Sequence, residues 1–174
     1  HIGDKFVFNT IPIPTTTFIG RHAERQIVHD MLDQNRLVTV LGMGGIGKSR
    51  LAVQIALERV QRQHHGVCYA PLAPSNTLES AIAAIGEQLE FSFRGNEEPS
   101  AQLTGFLRDK DLLLVLDHFE QLAPIAMFFD SLLSQAPRLR LLVTSSVLLG
   151  LYGEAIYHLS GLKYPDSSDD STAD

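Results

Sequence analysis

Gly42-Met-Gly-Gly-Ile-Gly-Lys-Ser49 is a complete G-x-x-x-x-G-K-S/T phosphate-binding loop, and its flanks decide what it can build. Such a loop needs a buried strand before it and a helix after it. Arg36-Leu-Val-Thr-Val-Leu41 is a short apolar, β-branched run that stops at Gly42, which predicts the strand. Beyond the loop, Leu51, Ala52, Ile55, Ala56 and Val60 recur at helical spacing, with Gln54, Glu58 and Arg59 between them. That spacing predicts an amphipathic helix over 48–63, stopped by Gly66. Between strand and helix, the glycines let the backbone wrap a polyphosphate with successive N–H groups turned inward. The helix N-terminus adds its dipole to the attraction. The expected phosphate-side residues are Gly42, Gly44, Gly45, Ile46, Gly47, Lys48, Ser49 and Arg50. Lys48 reaches the β- and γ-phosphates, and the Ser49 hydroxyl can ligate Mg²⁺.

The rest of the chain alternates strands and helices. Ile11-Pro-Ile-Pro-Thr-Thr-Thr-Phe18 is proline-stiffened and extended, so residues 1–18 read as a lead-in. A helix is expected over 21–34, with Ile27, Val28, Met31 and Leu32 on one face. Gly66 to Leu72 reads as a second strand, ended by Pro71 and Pro74. Ser75 or Asn76 can cap the following helix, whose stripe is Leu78, Ile82, Ile85 and Leu89. A polar loop from Phe91 to Pro99 precedes a short helix over 100–109. Asp111-Leu-Leu-Leu-Val-Leu-Asp117 has no polar face, which predicts a central strand covered on both sides. A helix over 119–135 must hold Pro124 in its first turns, a strand follows over 138–143, and a last one over 154–159.

This alternation implies right-handed βαβ crossovers and an α/β fold: a mostly parallel five-stranded sheet with helices on both faces. Ligands of such sheets bind beyond the C-terminal strand ends. Three promising clusters fall there: the loop, Asp117, and Thr144 to Ser146. An acid ending a hydrophobic strand suits a Mg²⁺ site opposite the loop serine, so Asp117 and Ser49 are the expected metal residues. Glu120 can orient an attacking water or merely complement a helix dipole. His118 is a second water-positioning candidate, with a structural role as the plainer reading. Thr144 and Ser145 can sense the γ-phosphate or simply close a turn. Cys68 sits in an apolar run and reads as an inert core thiol, and the His64–His65 pair lacks the spacing of a metal site.

Composition sets the outer limits. At 174 residues, with 44% hydrophobic and 20% charged residues, the chain suits a single globular domain. Its net charge is −6, but four of the 20 acidic residues lie in the last ten positions. The remaining 16 acids face 14 bases, so the body is close to neutral. No cluster of Lys and Arg suggests direct nucleic-acid binding, and no segment approaches a membrane span. A single cysteine excludes an internal disulfide, and without a signal-peptide pattern the cytoplasm is the expected compartment. A start on His rather than Met predicts a processed product or a piece of something longer.

At these motifs the chain resembles the STAND class of P-loop NTPases, the signal-transduction ATPases that include NB-ARC proteins and MalT- or LuxR-type regulators. Thr17-Phe-Ile-Gly-Arg-His-Ala-Glu24 looks like the entry motif F-I/V-G-R-x-x-E of that class. Leu113-Leu-Val-Leu-Asp-His-Phe-Glu120 is similar to its L-L-V-L-D-N-x-E segment, and Leu141-Leu-Val-Thr-Ser-Ser146 to its L-L/V-V-T-S-R strand end. The resemblance implies a three-layer P-loop fold with strand order 5-1-4-3-2 and bound ATP or ADP with Mg²⁺. It also implies base-side contacts from Ile19, Gly20 and Arg21. His118 stands where the class usually has Asn or Asp, and Ser146 where it has the Arg linked to reading the phosphate state. The resemblance therefore implies a switch with slow hydrolysis; a stand-alone ATPase or kinase using Glu120, and a scaffold without nucleotide, are the alternatives. Its expected partners are a helical lid, a winged-helix module and sensor repeats of a longer parent, with self-association on activation. The domain limits that follow are a lead-in over 1–18, a nucleotide-binding domain over 19–164 and an acidic disordered tail over 165–174.

Overall fold

The computed structural model describes residues 7–14 and 20–160. The base-side candidate Ile19 and the acidic stretch 165–174 lie outside them. In chain order the elements are β1 (Phe8–Asn9), α1 (His22–Gln34), β2 (Leu37–Leu41), α2 (Lys48–Arg59), β3 (Gly66–Pro71), α3 (Leu78–Gln88) and α4 (Pro99–Leu107). Then come β4 (Leu113–Asp117), a 3₁₀ segment (Glu120–Ile125), α5 (Met127–Gln135), β5 (Arg140–Ser145) and β6 (Ala155–His158).

Among the described residues six strands pair in parallel, in the order β1-β3-β4-β5-β2-β6. The five strands expected from the sequence take the expected order, read from β6 to β3. The difference is β1, a two-residue strand from the lead-in that extends the far edge by pairing Phe8 with Gly66 and Asn9 with Val67.

Alternation along the strands sorts the core into two layers. Val38, Val40, Val67, Leu113, Val115 and Leu142 pack with Val28 and Leu32 of α1 and Leu51, Ala52 and Ile55 of α2. Their neighbours Cys68, Ala70, Leu114, Leu116, Leu141 and Val143 face the opposite way, onto α3, α4 and α5. Strand β4 is buried along its whole length, as its unbroken apolar run requires. Burial pushes the Cys68 thiol up to about 12, which keeps it an unreactive core group.

Several local expectations shift. Thr77, rather than Ser75 or Asn76, caps α3: its hydroxyl accepts from the Ser80 amide at 3.1 Å while the Ser80 side chain returns to the Thr77 amide. The helix expected over 119–135 is split, because Pro124 has no amide to donate and the chain takes 3₁₀ geometry before α5 begins at Met127. Arg59, patterned as a polar position of α2, is buried between α2 and α1. Its guanidinium donates to Asp33 at 2.9 Å and lies 3.2 Å from His29 Nδ1, while His29 Nε2 meets Glu58 at 2.6 Å. Burial lowers the Arg59 guanidinium below its ordinary value, and Asp33 partly restores it. Among the described residues, no helix is long and apolar enough to cross a membrane.

Candidate functional site

The C-terminal ends of β2, β4 and β5 lie side by side, since Leu41 pairs with Ser145 and Leu116 with Val143. The loop from Gly42 to Ser49 turns out of β2 into α2 at this edge. Gly47, at φ 96°, is the residue before the first turn of α2, a left-handed conformation that suits glycine. Gly47 has no side chain with which to cap α2, and a helix start of that kind suits an anion. Gly42 is needed for a different reason: an added Cβ would lie 2.9 Å from the Leu159 carbonyl oxygen and 2.3 Å from Ile46 Cδ1. Lys48 is almost fully buried, and Nζ donates to the carbonyls of Gly42 and Met43 at 2.8 Å each. The ammonium thus sits over the loop, a charge of the kind that can bond phosphate oxygens.

Asp117 is buried at the end of β4, and three hydroxyls converge on its carboxylate. Ser49 Oγ donates to Oδ1 at 2.9 Å, Thr144 Oγ1 donates to the same oxygen, and the Tyr69 hydroxyl donates to Oδ2. Burial, and then the bond to Asp117, push the Tyr69 hydroxyl well above its ordinary range, so it stays a donor. Ser49 and Asp117 offer hard oxygen donors side by side, the chemistry that suits Mg²⁺. Among the described residues no three His, Cys, Asp or Glu side chains cluster as a self-sufficient metal cage. A cation here would therefore complete its shell with phosphate and water oxygens, as Mg²⁺ commonly does.

The other expected residues sort themselves around this pair. His118 has φ 60°, its amide donates to Thr144 Oγ1 at 2.9 Å, and its Nε2 lies 3.2 Å from Ser49 Oγ. Glu120 accepts from the Ser146 amide at 2.9 Å, which ties the start of the 3₁₀ segment to the end of β5. Thr144 is brought to the site, yet its hydroxyl is committed to Asp117 and His118 and it is fully buried. Ser145, also buried, closes a turn by donating to the Val147 carbonyl at 2.7 Å. Arg21 follows Gly20 in left-handed backbone and reaches the loop itself, donating to the Ile46 carbonyl and to Glu24 at 2.9 Å each.

A cavity of about 470 Å³ opens over the loop, lined by Gly44, Gly45, Lys48, Arg50, His118 and Ser146, among others. A second cavity of about 470 Å³ lies at the other end of β2, beside Arg36 and Asp130. There Arg36 Nη1 donates to the carbonyls of Leu133 and Ala136 at 2.9 Å each, tying β2 to the end of α5. The loop cavity joins the start of α2, a lysine and a metal-type oxygen pair.

The NB-ARC domain family matches residues 21–146, spanning both Arg21 and the end of β5. This chain belongs to the NB-ARC domain family. "Uncharacterized protein Rv0894" of Mycobacterium tuberculosis strain H37Rv is 36% identical to it over 148 residues, which is 84% of this chain and 38% of that protein. "Putative HTH-type transcriptional regulator Rv0890c" of the same strain is 32% identical over 145 residues, 83% of this chain and 16% of its own length. The chain therefore spans well under half the length of these curated relatives. Among solved structures, the NB-ARC domain is similar to a Signal Transduction ATPase with Numerous Domains (STAND) protein from Pyrococcus horikoshii that carries a tetratricopeptide repeat sensor. That match has a TM-score of 0.60 at 16% identity, over 88% of this chain and 25% of the other. It is similar also to Cdc6p from Pyrobaculum aerophilum, with a TM-score of 0.59 at 20% identity over 83% and 43% of the two chains. At such identities the likeness is one of fold, that of the P-loop ATPases.

Tyr69 is the residue that sequence reasoning passed over. A tyrosine near the end of a buried strand needs a partner for its hydroxyl, and that requirement was its available signal. Replacing it by Phe should remove a charge-assisted bond from a buried carboxylate. A loss of about 1–3 kcal/mol in urea unfolding is expected. Unchanged stability would show that water replaces the phenol.

Proposed function

We propose that this NB-ARC domain binds ATP and ADP together with Mg²⁺ and serves as the nucleotide-controlled switch of a longer signal-transduction or transcription-regulatory ATPase, with slow hydrolysis. The observation that carries the reading is the Ser49–Asp117 pair at 2.9 Å beside the uncapped start of α2 and Lys48. Gly42 to Arg50 hold the phosphates, with Lys48 as the point charge, while Ser49 and Asp117 face the cation. Gly20 and Arg21 lie on the base side, and Arg21 also braces the loop through Ile46. Slow turnover is supported by Glu120, whose carboxylate is engaged by the Ser146 amide, and by a serine where an arginine would meet the phosphate. The regulator named among the relatives supports a transcriptional setting. The remaining modules of such a protein (a lid, a winged helix, sensor repeats) would be the partners of this domain, and self-association the form of its active state.

A thermal-shift titration tests this directly. Ligand at a hundred times its dissociation constant stabilises by about 2.7 kcal/mol. For a domain of this size the melting temperature should then rise by roughly 5–11 °C with Mg²⁺–ATP or Mg²⁺–ADP. No rise with ATP, ADP or GTP would leave the scaffold reading in its place. Steady-state turnover above about one per second, the low end for ordinary enzymes, would instead favour a stand-alone ATPase.

A further inference from the structure

Neither phosphate binding nor the support of Asp117 uses the imidazole of His118, yet the fold fixes its backbone beside the Ser49–Asp117 pair. Its backbone is left-handed at φ 60°, a conformation that residues with side chains adopt rarely and mainly where surroundings impose it. Thr144 imposes it here, accepting the His118 amide on Oγ1 and the Phe119 amide on its carbonyl, both at 2.9 Å. Phe119 then drops fully into the core. The turn delivers His118 Nε2 to 3.2 Å from Ser49 Oγ and 3.8 Å from Asp117 Oδ2.

The protons on hand leave the His118 imidazole two roles. The Ser49 hydroxyl has one proton, and it goes to Asp117 Oδ1. In one imidazole tautomer Nε2–H donates to Ser49 Oγ; in the other the Nε2 lone pair faces Ser49 Oγ across 3.2 Å, where a cation beside both would take it. Neighbouring ligands of a six-coordinate ion with bonds of roughly 2.0–2.1 Å stand about 3 Å apart, close to the Ser49–His118 separation. An imidazole nitrogen is a weak ligand for Mg²⁺ and a good one for first-row transition ions.

We propose that His118 Nε2 is a direct ligand of the divalent cation that accompanies the nucleotide, and that it shifts the site from Mg²⁺ toward Mn²⁺ and Co²⁺. This rests on the nucleotide-binding reading above. His118→Asn is the informative variant: asparagine tolerates left-handed backbone and offers no imidazole nitrogen. Electron spin-echo spectroscopy of the full chain with Mn²⁺ and ADP should show modulation from a directly bound ¹⁴N, absent in His118→Asn. By calorimetry, the wild-type chain should bind Co²⁺–ADP about tenfold or more tighter than Mg²⁺–ADP, a preference the variant loses. Circular dichroism melts confirm that the variant is folded. Tight Mn²⁺–ADP binding without nitrogen modulation, or an equal cation preference in His118→Asn, overturns the proposal and leaves the nucleotide reading standing. Failure of ADP and ATP to bind with any of the three cations overturns both.

Discussion

Replacing Lys48 by alanine should lower affinity for Mg²⁺–ATP by about a hundredfold or more while leaving the free domain folded. The ammonium reaches only groups at the mouth of the loop, and each charge-assisted bond it would transfer to phosphate is worth about 1.5–3 kcal/mol. Two such bonds exist now, to the Gly42 and Met43 carbonyls at 2.8 Å. In the variant water can reach those carbonyls, so the free chain should lose only about 1 kcal/mol. Lys48→Met, which keeps the aliphatic stem, separates loss of charge from loss of packing. Calorimetric titration of both variants is the measurement. Affinity within about threefold of wild type would show that the loop amides and the cation, not Lys48, hold the phosphates.

Phe119→Ala should have the larger effect on stability, a loss of about 3–5 kcal/mol in denaturant unfolding. The ring is fully buried and meets Phe129 edge-to-face, with centroids 5.1 Å apart. Its removal leaves a cavity under the 3₁₀ segment, where α5 and β5 are too firmly packed to close over it. The melting temperature should fall by roughly 6–20 °C. The same ring anchors the turn that aims His118, so cation-dependent binding should weaken alongside. A loss under about 1 kcal/mol would mean that the turn is held by the Thr144 hydrogen bonds alone.

Much of this was legible because it is local. The loop spacing, the apolar run of β4 and the helical stripes of α1, α2 and α3 each declare themselves within a few residues, and alternation then assigns strand faces. Proline chemistry was legible in kind but not in outcome: Pro124 was expected in the first turns of one helix, and its missing amide instead splits that stretch into 3₁₀ and α segments. Arg59 misled for a related reason. A charged residue in a helical repeat reads as solvated, and only the approach of α1 supplied Asp33 and His29 to make burial tolerable. Thr144 and Ser145 carried hydroxyls suited to a phosphate; the packing of β5 against β4 spent them on Asp117, His118 and a turn.

The phosphate loop that opens α2, the parallel α/β class and the acid at the end of β4 follow from short-range pattern, since period and spacing encode backbone geometry directly. The company that acid keeps does not. Tyr69, Thr144 and Ser49 come from three different elements, and they meet at Asp117 because parallel pairing sets β3, β4 and β5 in one register beside the loop. His118 shows the division most clearly. Its identity is visible in the chain, but its aim at Ser49 exists only because Thr144 and a buried Phe119 force the backbone into a left-handed turn.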